Sequence, residues 1–112
     1  MQIFDLPRII DELRQSGRLY LEFLRSREPS VGVYELPSGA NDPQRPHTEA
    51  EVYYVVSGRA TVRVGGEDRP VGPGAVVFVE AGVEHRFHTI TEKLTLLVFF
   101  APAEGTNRKS QS

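Results

Sequence analysis

The sequence predicts an all-β fold, a barrel or sandwich of short antiparallel strands that follows one N-terminal helix. About eight short runs of alternating or β-branched residues succeed one another, and turn-forming residues separate them roughly every 8 to 12 positions. Only one segment, near the start, repeats its apolar residues at helical spacing. A chain of 112 residues, of which 39% are hydrophobic and 25% charged, has the composition of one globular domain.

The first predicted element is an amphipathic helix over residues 6–16. Asp5 stands at the N-cap position and Pro7 in the first turn, where the missing N–H of proline costs no hydrogen bond. Leucine and isoleucine recur at helical spacing, and Gly17 ends the helix. Residues 1–17 are therefore expected to form a helix and lead-in ahead of the barrel.

The elements that follow are predicted to be strands. After residue 17 the apolar period changes to two, which is the period of a strand with one buried face. Residues 37–46, PSGANDPQRP, are crowded with turn-forming residues and predict a loop. The predicted strands are 19–24, 31–36, 51–56, 59–64, 75–79, 84–90 and 94–100, with turns at Ser57-Gly58, Gly65-Gly66-Glu67 and Thr91-Glu92-Lys93.

The predicted strands make up one barrel over residues 18–102. Residues 103–112 are polar and aperiodic, which predicts a disordered tail. So small a domain buries a modest share of its surface, so pairing with a second copy would help it, and we expect a homodimer. The aromatic pairs Tyr53-Tyr54 and Phe99-Phe100 put one ring on each face, and the outer rings, with residues 19–24, are the predicted dimer seam.

Charge and composition exclude several classes of function. The net charge is −2 with the two signs interspersed, so a nucleic-acid partner is not expected. The chain has no cysteine, which excludes disulfides, thiolate ligands and cysteine nucleophiles. No stretch has the roughly 20 apolar residues of a membrane span, and the start lacks the pattern of a signal peptide. We expect a cytoplasmic protein that does not bind membranes.

Three side chains are spaced to hold a metal ion. His47 and Glu51 are four residues apart, an even spacing that puts both on one face of a strand, the interior face if Tyr53 is buried. His85 lies on a later strand within reach of the same ion. Two imidazoles and a carboxylate suit Fe(II), Mn(II) or Zn(II) and leave positions open for water, dioxygen or substrate. The alternative is that His47 is a solvated loop residue and Glu51 a surface charge.

Two segments carry a resemblance to the cupins. Residues 39–58, GANDPQRPHTEAEVYYVVSG, resemble the first cupin motif, G-x5-H-x-H-x3-E-x6-G, and residues 74–89, GAVVFVEAGVEHRFHT, resemble the second, G-x5-P-x-G-x2-H-x3-N. The matching residues are Gly39, His47, Glu51, Gly58, Gly74, Gly82 and His85. The resemblance covers about residues 30–101. It implies a small antiparallel β-barrel of the double-stranded β-helix or jelly-roll type, with a divalent metal such as Fe, Mn, Zn or Ni in its interior.

The sequence departs from these motifs at three positions. Arg45 replaces the first metal-binding histidine, Glu80 the proline and Thr89 the asparagine. Three of the four metal positions implied by the resemblance therefore carry over, those of His47, Glu51 and His85. A guanidinium cannot act as a ligand and would repel a cation, so Arg45 either turns away or binds an anionic substrate in the pocket.

The remaining polar and aromatic candidates each have two interpretations. Glu49 shares the parity of the ligands and would either replace the missing one or face solvent. His88 is three residues after His85, an odd spacing that predicts the outer face. Tyr53 and Phe87 have the inward parity and would serve as core or as substrate-pocket wall, and Tyr53 is the candidate catalytic hydrogen-bond donor.

Three functions are compatible with these residues. The first is a metal-dependent enzyme, an oxygenase, isomerase or lyase acting on a small organic molecule. The second is a non-catalytic barrel that binds or senses a small ligand, which the replacement of a ligand by Arg45 favours. The third is a barrel kept for assembly with an unused pocket. The resemblance favours the enzyme only in part, because one fold hosts many chemistries.

Overall fold

The computed structural model describes residues 1–43 and 48–106. The described residues form one helix and six strands. These are α1 (Leu6–Ser16), β1 (Tyr20–Arg25), β2 (Ser30–Leu36), β3 (Ala50–Val64), β4 (Glu67–Val71), β5 (Val76–Val79) and β6 (His85–Ala101).

The strands form one antiparallel sheet that curls around an apolar interior. The hydrogen-bonded order is β1-β2-β6-β3-β4, and β5 pairs with the first half of β3. The two longest strands, β3 and β6, pair along most of their length, from Ala50 opposite Ala101 to Val64 opposite His85. The protein is thus a small antiparallel β-barrel with a short N-terminal helix, as the sequence predicts.

The structure corrects three details of the predicted strands. Ser57-Gly58 and Thr91-Glu92-Lys93 are not turns, because β3 and β6 run through them. Both strands bend there through register shifts between residues 55 and 61 of β3. Gly58 has φ +95°, and a Cβ on it would lie 2.1 Å from the carbonyl oxygen of Lys93, so glycine allows the bend and the close approach of β6. The sequence interpretation also missed β4, which contains Pro70 and is largely exposed.

The predicted helix is confirmed and packs on the outside of the barrel. The backbone N–H of Ile9 donates a hydrogen bond of 3.1 Å to the backbone oxygen of Asp5 at the start of the helix. The Asp5 side chain makes no cap hydrogen bond, contrary to the prediction. Ile9 and Leu13 pack with Val33 of β2 in an outer cluster. Arg14 donates two hydrogen bonds, of 3.1 and 3.0 Å, to the buried Glu35 carboxylate. The helix is therefore held by one apolar contact and one ion pair.

The second and larger cluster fills the barrel. It contains alternate residues of β2, β3 and β6, and its largest members with essentially no exposure are Tyr53, Phe87, Leu94, Leu96 and Phe100. Alternation thus predicts correctly that Tyr53 and Phe87 point inward, whereas every residue of β2 is buried, so that strand has no exposed face.

Two connecting segments close the end of the barrel near the candidate ligands. Asp42, in the loop before β3, accepts a hydrogen bond of 2.6 Å from the Tyr34 hydroxyl and one of 3.0 Å from the backbone N–H of Phe87. After β6, Ala103 is buried, and the N–H of Glu104 donates to Ser30 Oγ at 2.9 Å. The first residues of the expected tail are thus packed on the barrel, whereas residues 107–112 lie outside the described ranges.

The described residues include no helix of the length and apolarity that crossing a bilayer would require. The expected cytoplasmic location stays a prediction.

Candidate metal centre

Adjacent strands bring three of the predicted site residues together inside the barrel. Glu51 and Tyr53 come from the start of β3, and His85 begins β6. All three are buried, with relative exposures of 1%, 0% and 2%. Two residues separate Glu51 from Tyr53, so their side chains share the inward face of the strand. The burial of a carboxylate and an imidazole in an apolar core is costly unless each has a polar or charged partner.

The three side chains contact one another through their polar atoms. His85 Nε2 lies 2.7 Å from Glu51 Oε1 and 3.1 Å from the Tyr53 hydroxyl. On the other side of the imidazole, Nδ1 lies 2.9 Å from the carbonyl oxygen of Val83. A carbonyl oxygen only accepts, so Nδ1 carries a proton, and Nε2 is the nitrogen presented to Glu51 and Tyr53.

This arrangement fits a divalent cation. An imidazole nitrogen and a carboxyl oxygen at 2.7 Å need a proton or a metal ion between them, because their lone pairs would otherwise repel. The contact from Nδ1 of His85 to a backbone carbonyl orients the ring and fixes its tautomer, as in many metal-binding histidines. Nitrogen and carboxylate oxygen are donors that Zn, Fe, Mn and Ni accept. The centre therefore has two donors of suitable chemistry aimed at one point.

The rest of the predicted ligand set cannot be placed. His47 and Arg45 lie outside the described residues, so the third ligand and the replaced position are not observed. Within residues 1–43 and 48–106, no three His, Asp or Glu side chains form a group that could hold a metal ion. The ligand roles of His47, Glu51 and His85 stay predictions.

Phe87 belongs to the same wall as Tyr53. Their ring centroids are 5.0 Å apart and the ring planes cross at 88°, an edge-to-face contact. The Tyr53 ring also lies 5.9 Å from that of His85. Phe87 has no exposed surface, so it positions Tyr53 and contributes to the core. A direct contact of Phe87 with a substrate stays a prediction.

The other candidates lie elsewhere. Glu49 is 1% exposed, so it is not a solvent-facing charge. Its carboxylate accepts hydrogen bonds from the Gly105 N–H, at 2.7 Å, and from the Thr48 hydroxyl, which fastens the segment after β6. His88 is on the outer face, as its odd spacing predicts, with Nε2 2.8 Å from Asp68 Oδ1.

Sequence analysis missed one tyrosine of the interior. Tyr20, on β1, packs against the inner cluster, and its hydroxyl is buried without a hydrogen-bond partner among the described residues. Burial raises the pKa of Tyr20 well above its ordinary range, and the charges of Glu104, Glu22 and Glu51 add to this. Gly32 makes room for this ring, because a Cβ there would collide with the Tyr20 hydroxyl, but no pattern in the sequence pairs the two residues.

Comparisons with known proteins agree with this architecture. The family described as cupin domain matches residues 32–101. An uncharacterized protein of Streptomyces coelicolor is 49% identical over 105 residues, which are 94% of this chain and all of the relative. The crystal structure of TT1209 from Thermus thermophilus is 28% identical, with a TM-score of 0.74 and coverage of 92% of this chain and 99% of that one.

One similar structure has a named activity. The DMSP lyase DddQ of Ruegeria pomeroyi is 28% identical, with a TM-score of 0.64. The similarity covers 68% of this chain and 39% of the lyase. The similarity therefore extends over less than half of that enzyme.

Proposed function

The chain belongs to the cupin domain family, and from that premise we propose that its barrel binds a divalent metal ion and, beside it, a small organic molecule. One observation carries the proposal, the 2.7 Å contact between His85 Nε2 and Glu51 Oε1 in the barrel interior. A purely structural pair at that depth would be replaceable by apolar residues at little or no cost in stability. A pair that exchanges a proton for a metal ion has a function that apolar residues cannot perform.

Glu51 and His85 would hold the metal, with His47 as the third ligand implied by the family motif. A bound divalent ion supplies Lewis-acid chemistry to an oxygen of the small molecule. Tyr53 has its hydroxyl 3.1 Å from His85 Nε2, so it lies at the edge of the same space and can donate a hydrogen bond or a proton to a ligand there. The rings of Tyr53 and Phe87 exclude water from that side.

The enzymatic form of the proposal is a lyase, isomerase or oxygenase reaction. The 28% identical lyase of Ruegeria pomeroyi supports a lyase reaction on a small molecule. In such a reaction Tyr53 would move a proton at its hydroxyl oxygen, while the Nδ1–H of His85 holds the imidazole in place. The non-catalytic alternative keeps the same site and ligand but no turnover. It is favoured by Arg45, which adds a positive charge where the family motif has a metal-binding histidine.

Metal titration of the purified chain tests the proposal. Protein stripped with a chelator is titrated calorimetrically with Zn(II), Mn(II), Ni(II) and, without oxygen, Fe(II). We expect at least one ion to bind with a Kd below about 1 μM, and His85→Ala to weaken it about 100-fold or more. His88→Ala is the matched control, since that histidine is on the outer face, and it should change the Kd less than about twofold.

Two results would contradict the site. One is that no ion binds to the folded protein, and the other is that both histidine variants weaken binding equally. Circular dichroism of each variant shows whether it is folded. A panel of small organic acids, assayed with the metal that binds, then separates an enzyme from a binding barrel. Turnover that Tyr53→Phe abolishes supports the enzyme, and saturable binding without turnover supports the alternative.

Metal binding should also release a proton. The metal replaces the proton that lies between His85 Nε2 and Glu51 Oε1, so affinity should rise as the pH rises. Titrations in buffers with different heats of ionisation measure the number of protons released. His85→Ala should abolish this release together with the tight binding.

A further inference from the structure

Four exposed apolar side chains and one half-buried valine lie side by side on the outer wall of the barrel. We call them the outer apolar patch: Val52, Tyr54, Val76, Phe78 and Phe99. Val76 and Phe78 are 65% and 60% exposed, and Tyr54 and Phe99 are 39% and 37% exposed. Single exposed apolar residues are ordinary, but a contiguous group of this size marks an interaction surface.

The register of three neighbouring strands makes the patch continuous. Val52 of β3 lies opposite Phe99 of β6 on one side and opposite Phe78 of β5 on the other. Two residues further along β3, Tyr54 lies opposite Val76. The side chains therefore stand in two adjacent rows on one face of the sheet, and none of the five carries a charge.

The rest of the described chain leaves this patch open. Helix α1 covers the neighbouring part of the same outer face, where Ile9, Leu13 and Val33 form the outer cluster. Leu21 and Phe23 of β1 pack against that cluster, so this stretch of the predicted seam, residues 19–24, already has a partner within the chain. The patch begins beyond the helix, on β6, β3 and β5.

The chain outside the described ranges does not have the composition to cover the patch. Residues 44–47 are Gln-Arg-Pro-His and residues 107–112 are Asn-Arg-Lys-Ser-Gln-Ser. Apart from Pro46, neither segment contains an aliphatic or aromatic hydrocarbon side chain.

We infer that the outer apolar patch is the interface between two copies of this chain. In a twofold dimer the same patch occurs on both subunits, and an uncharged apolar surface is complementary to itself. From their exposed fractions, the four most exposed side chains present roughly 400 Å², about half of the ~800 Å² that each partner contributes to a standard interface. The rest of the buried area would come from the polar rim that surrounds the apolar core of such interfaces.

With the patch in this place, the two faces of β3 have different roles. Val52 and Tyr54 point outward to the second copy, while Glu51 and Tyr53 point into the barrel. Dimerisation on the outer face would thus support the strand that presents the candidate ligands without blocking the interior. The inference does not depend on the metal, so its failure and that of the metal site are distinguishable.

The mass of the full chain in solution tests the inference. Light scattering after size exclusion should give about 25 kDa, twice the 12.5 kDa of one chain. Phe78→Lys would bury an unpaired charge at the interface, so the dimer Kd, from analytical ultracentrifugation, should rise about 100-fold or more. Val76→Lys is the second variant and should act in the same direction.

Ile3→Lys is the matched control for these variants. Ile3 is 84% exposed and lies before α1, away from the patch, so its substitution should leave the mass and the Kd unchanged. A wild-type chain that is monomeric up to about 100 μM would overturn the inference, as would two folded patch variants that dimerise like wild type. An equal effect of Ile3→Lys would also overturn it, because it would place the interface elsewhere.

Discussion

Glu35 and Glu51 are glutamates buried in the same barrel wall, but their partners differ in kind. Glu35, on the outer face of β2, is 5% exposed and accepts two hydrogen bonds from Arg14 and one from Thr95. Glu51, on the inner face of β3, is 1% exposed and lies 2.7 Å from His85. The first partner is a guanidinium that stays charged, and the second is an imidazole that can lose its proton.

The comparison separates a buried carboxylate that contributes to stability from one that is proposed to contribute to metal binding. Glu35 joins the helix to the barrel, and its hydrogen bonds can stay intact while it does so. Under the proposed function, Glu51 and His85 exchange the proton between them for a metal ion, so their contact has to open. Substitutions at these two carboxylates and at three further polar residues test this distinction.

The sharpest test exchanges each carboxylate for an amide. Glu51→Gln should weaken metal binding about 100-fold or more, because an amide is a poor ligand and carries no charge. Glu35→Gln should change it less than about twofold. Calorimetric titration of both variants measures the two effects. Equal losses would mean that the two carboxylates do not differ in function.

Stability should show the opposite order. Glu35→Ala should lower the free energy of unfolding by about 2–3 kcal/mol, because it removes charged hydrogen bonds from Arg14 and Thr95. Glu51→Gln in metal-free protein should change it by less than about 1 kcal/mol, since the amide can donate to His85. Urea denaturation measures both. A larger loss in Glu51→Gln would identify the interior pair as structural.

The Glu35 contacts should also make stability depend on pH. Burial raises the pKa of this carboxyl, but the hydrogen bonds from Arg14 and Thr95 and the charges of Arg14 and Lys93 outweigh burial and leave the pKa lowered. A lowered folded pKa means that the stabilisation is present above the ordinary glutamate range and is lost as the pH falls through and below it. Urea denaturation from pH 7 to pH 3 should therefore show a steeper loss in wild type than in Glu35→Gln. Parallel curves would contradict this role for Glu35.

Tyr20→Phe tests whether a second interior polar group serves function rather than stability. Its hydroxyl is buried without a hydrogen-bond partner among the described residues. Removing it should leave stability unchanged or raise it by up to about 1 kcal/mol, because a desolvated donor without a partner is costly. Tyr34→Phe is the control, since it removes the 2.6 Å hydrogen bond to Asp42 and should destabilise the protein. A marked loss in Tyr20→Phe would show that the hydroxyl contributes to folding.

The smallest effect is expected for an exposed carboxylate with similar contacts. Asp68 lies 2.8 Å from His88 Nε2 and accepts two hydrogen bonds from Arg63, but its side chain is 40% exposed. Asp68→Asn should lower the midpoint of thermal denaturation far less than Glu35→Ala does, because water replaces the lost contacts. Thermal denaturation beside Glu35→Ala measures this. A loss as large as that of Glu35→Ala would mean that burial does not determine the difference.

Features with local signals could be predicted from the amino-acid sequence alone. Helical spacing and a terminal glycine predicted residues 6–16, which are the bounds of α1. Alternation predicted the inward direction of Glu51, Tyr53 and His85, because side chains on a strand alternate strictly between its two faces. The motif spacing predicted the family, which the match over residues 32–101 confirms.

Tertiary structure decided what depends on pairing between distant residues. Ser57-Gly58 are residues typical of a turn, yet strand β3 continues through them. The chain only bends there, because Gly58 lies against the backbone of Lys93 on the neighbouring strand. Glu49 carries a charge, which is typical of a surface residue, yet it is buried and its carboxylate accepts a hydrogen bond from the Gly105 N–H. Alternation gives the face of a side chain and not its partner, so neither the His85–Glu51 contact nor the row of apolar side chains outside the barrel can be read from one strand alone.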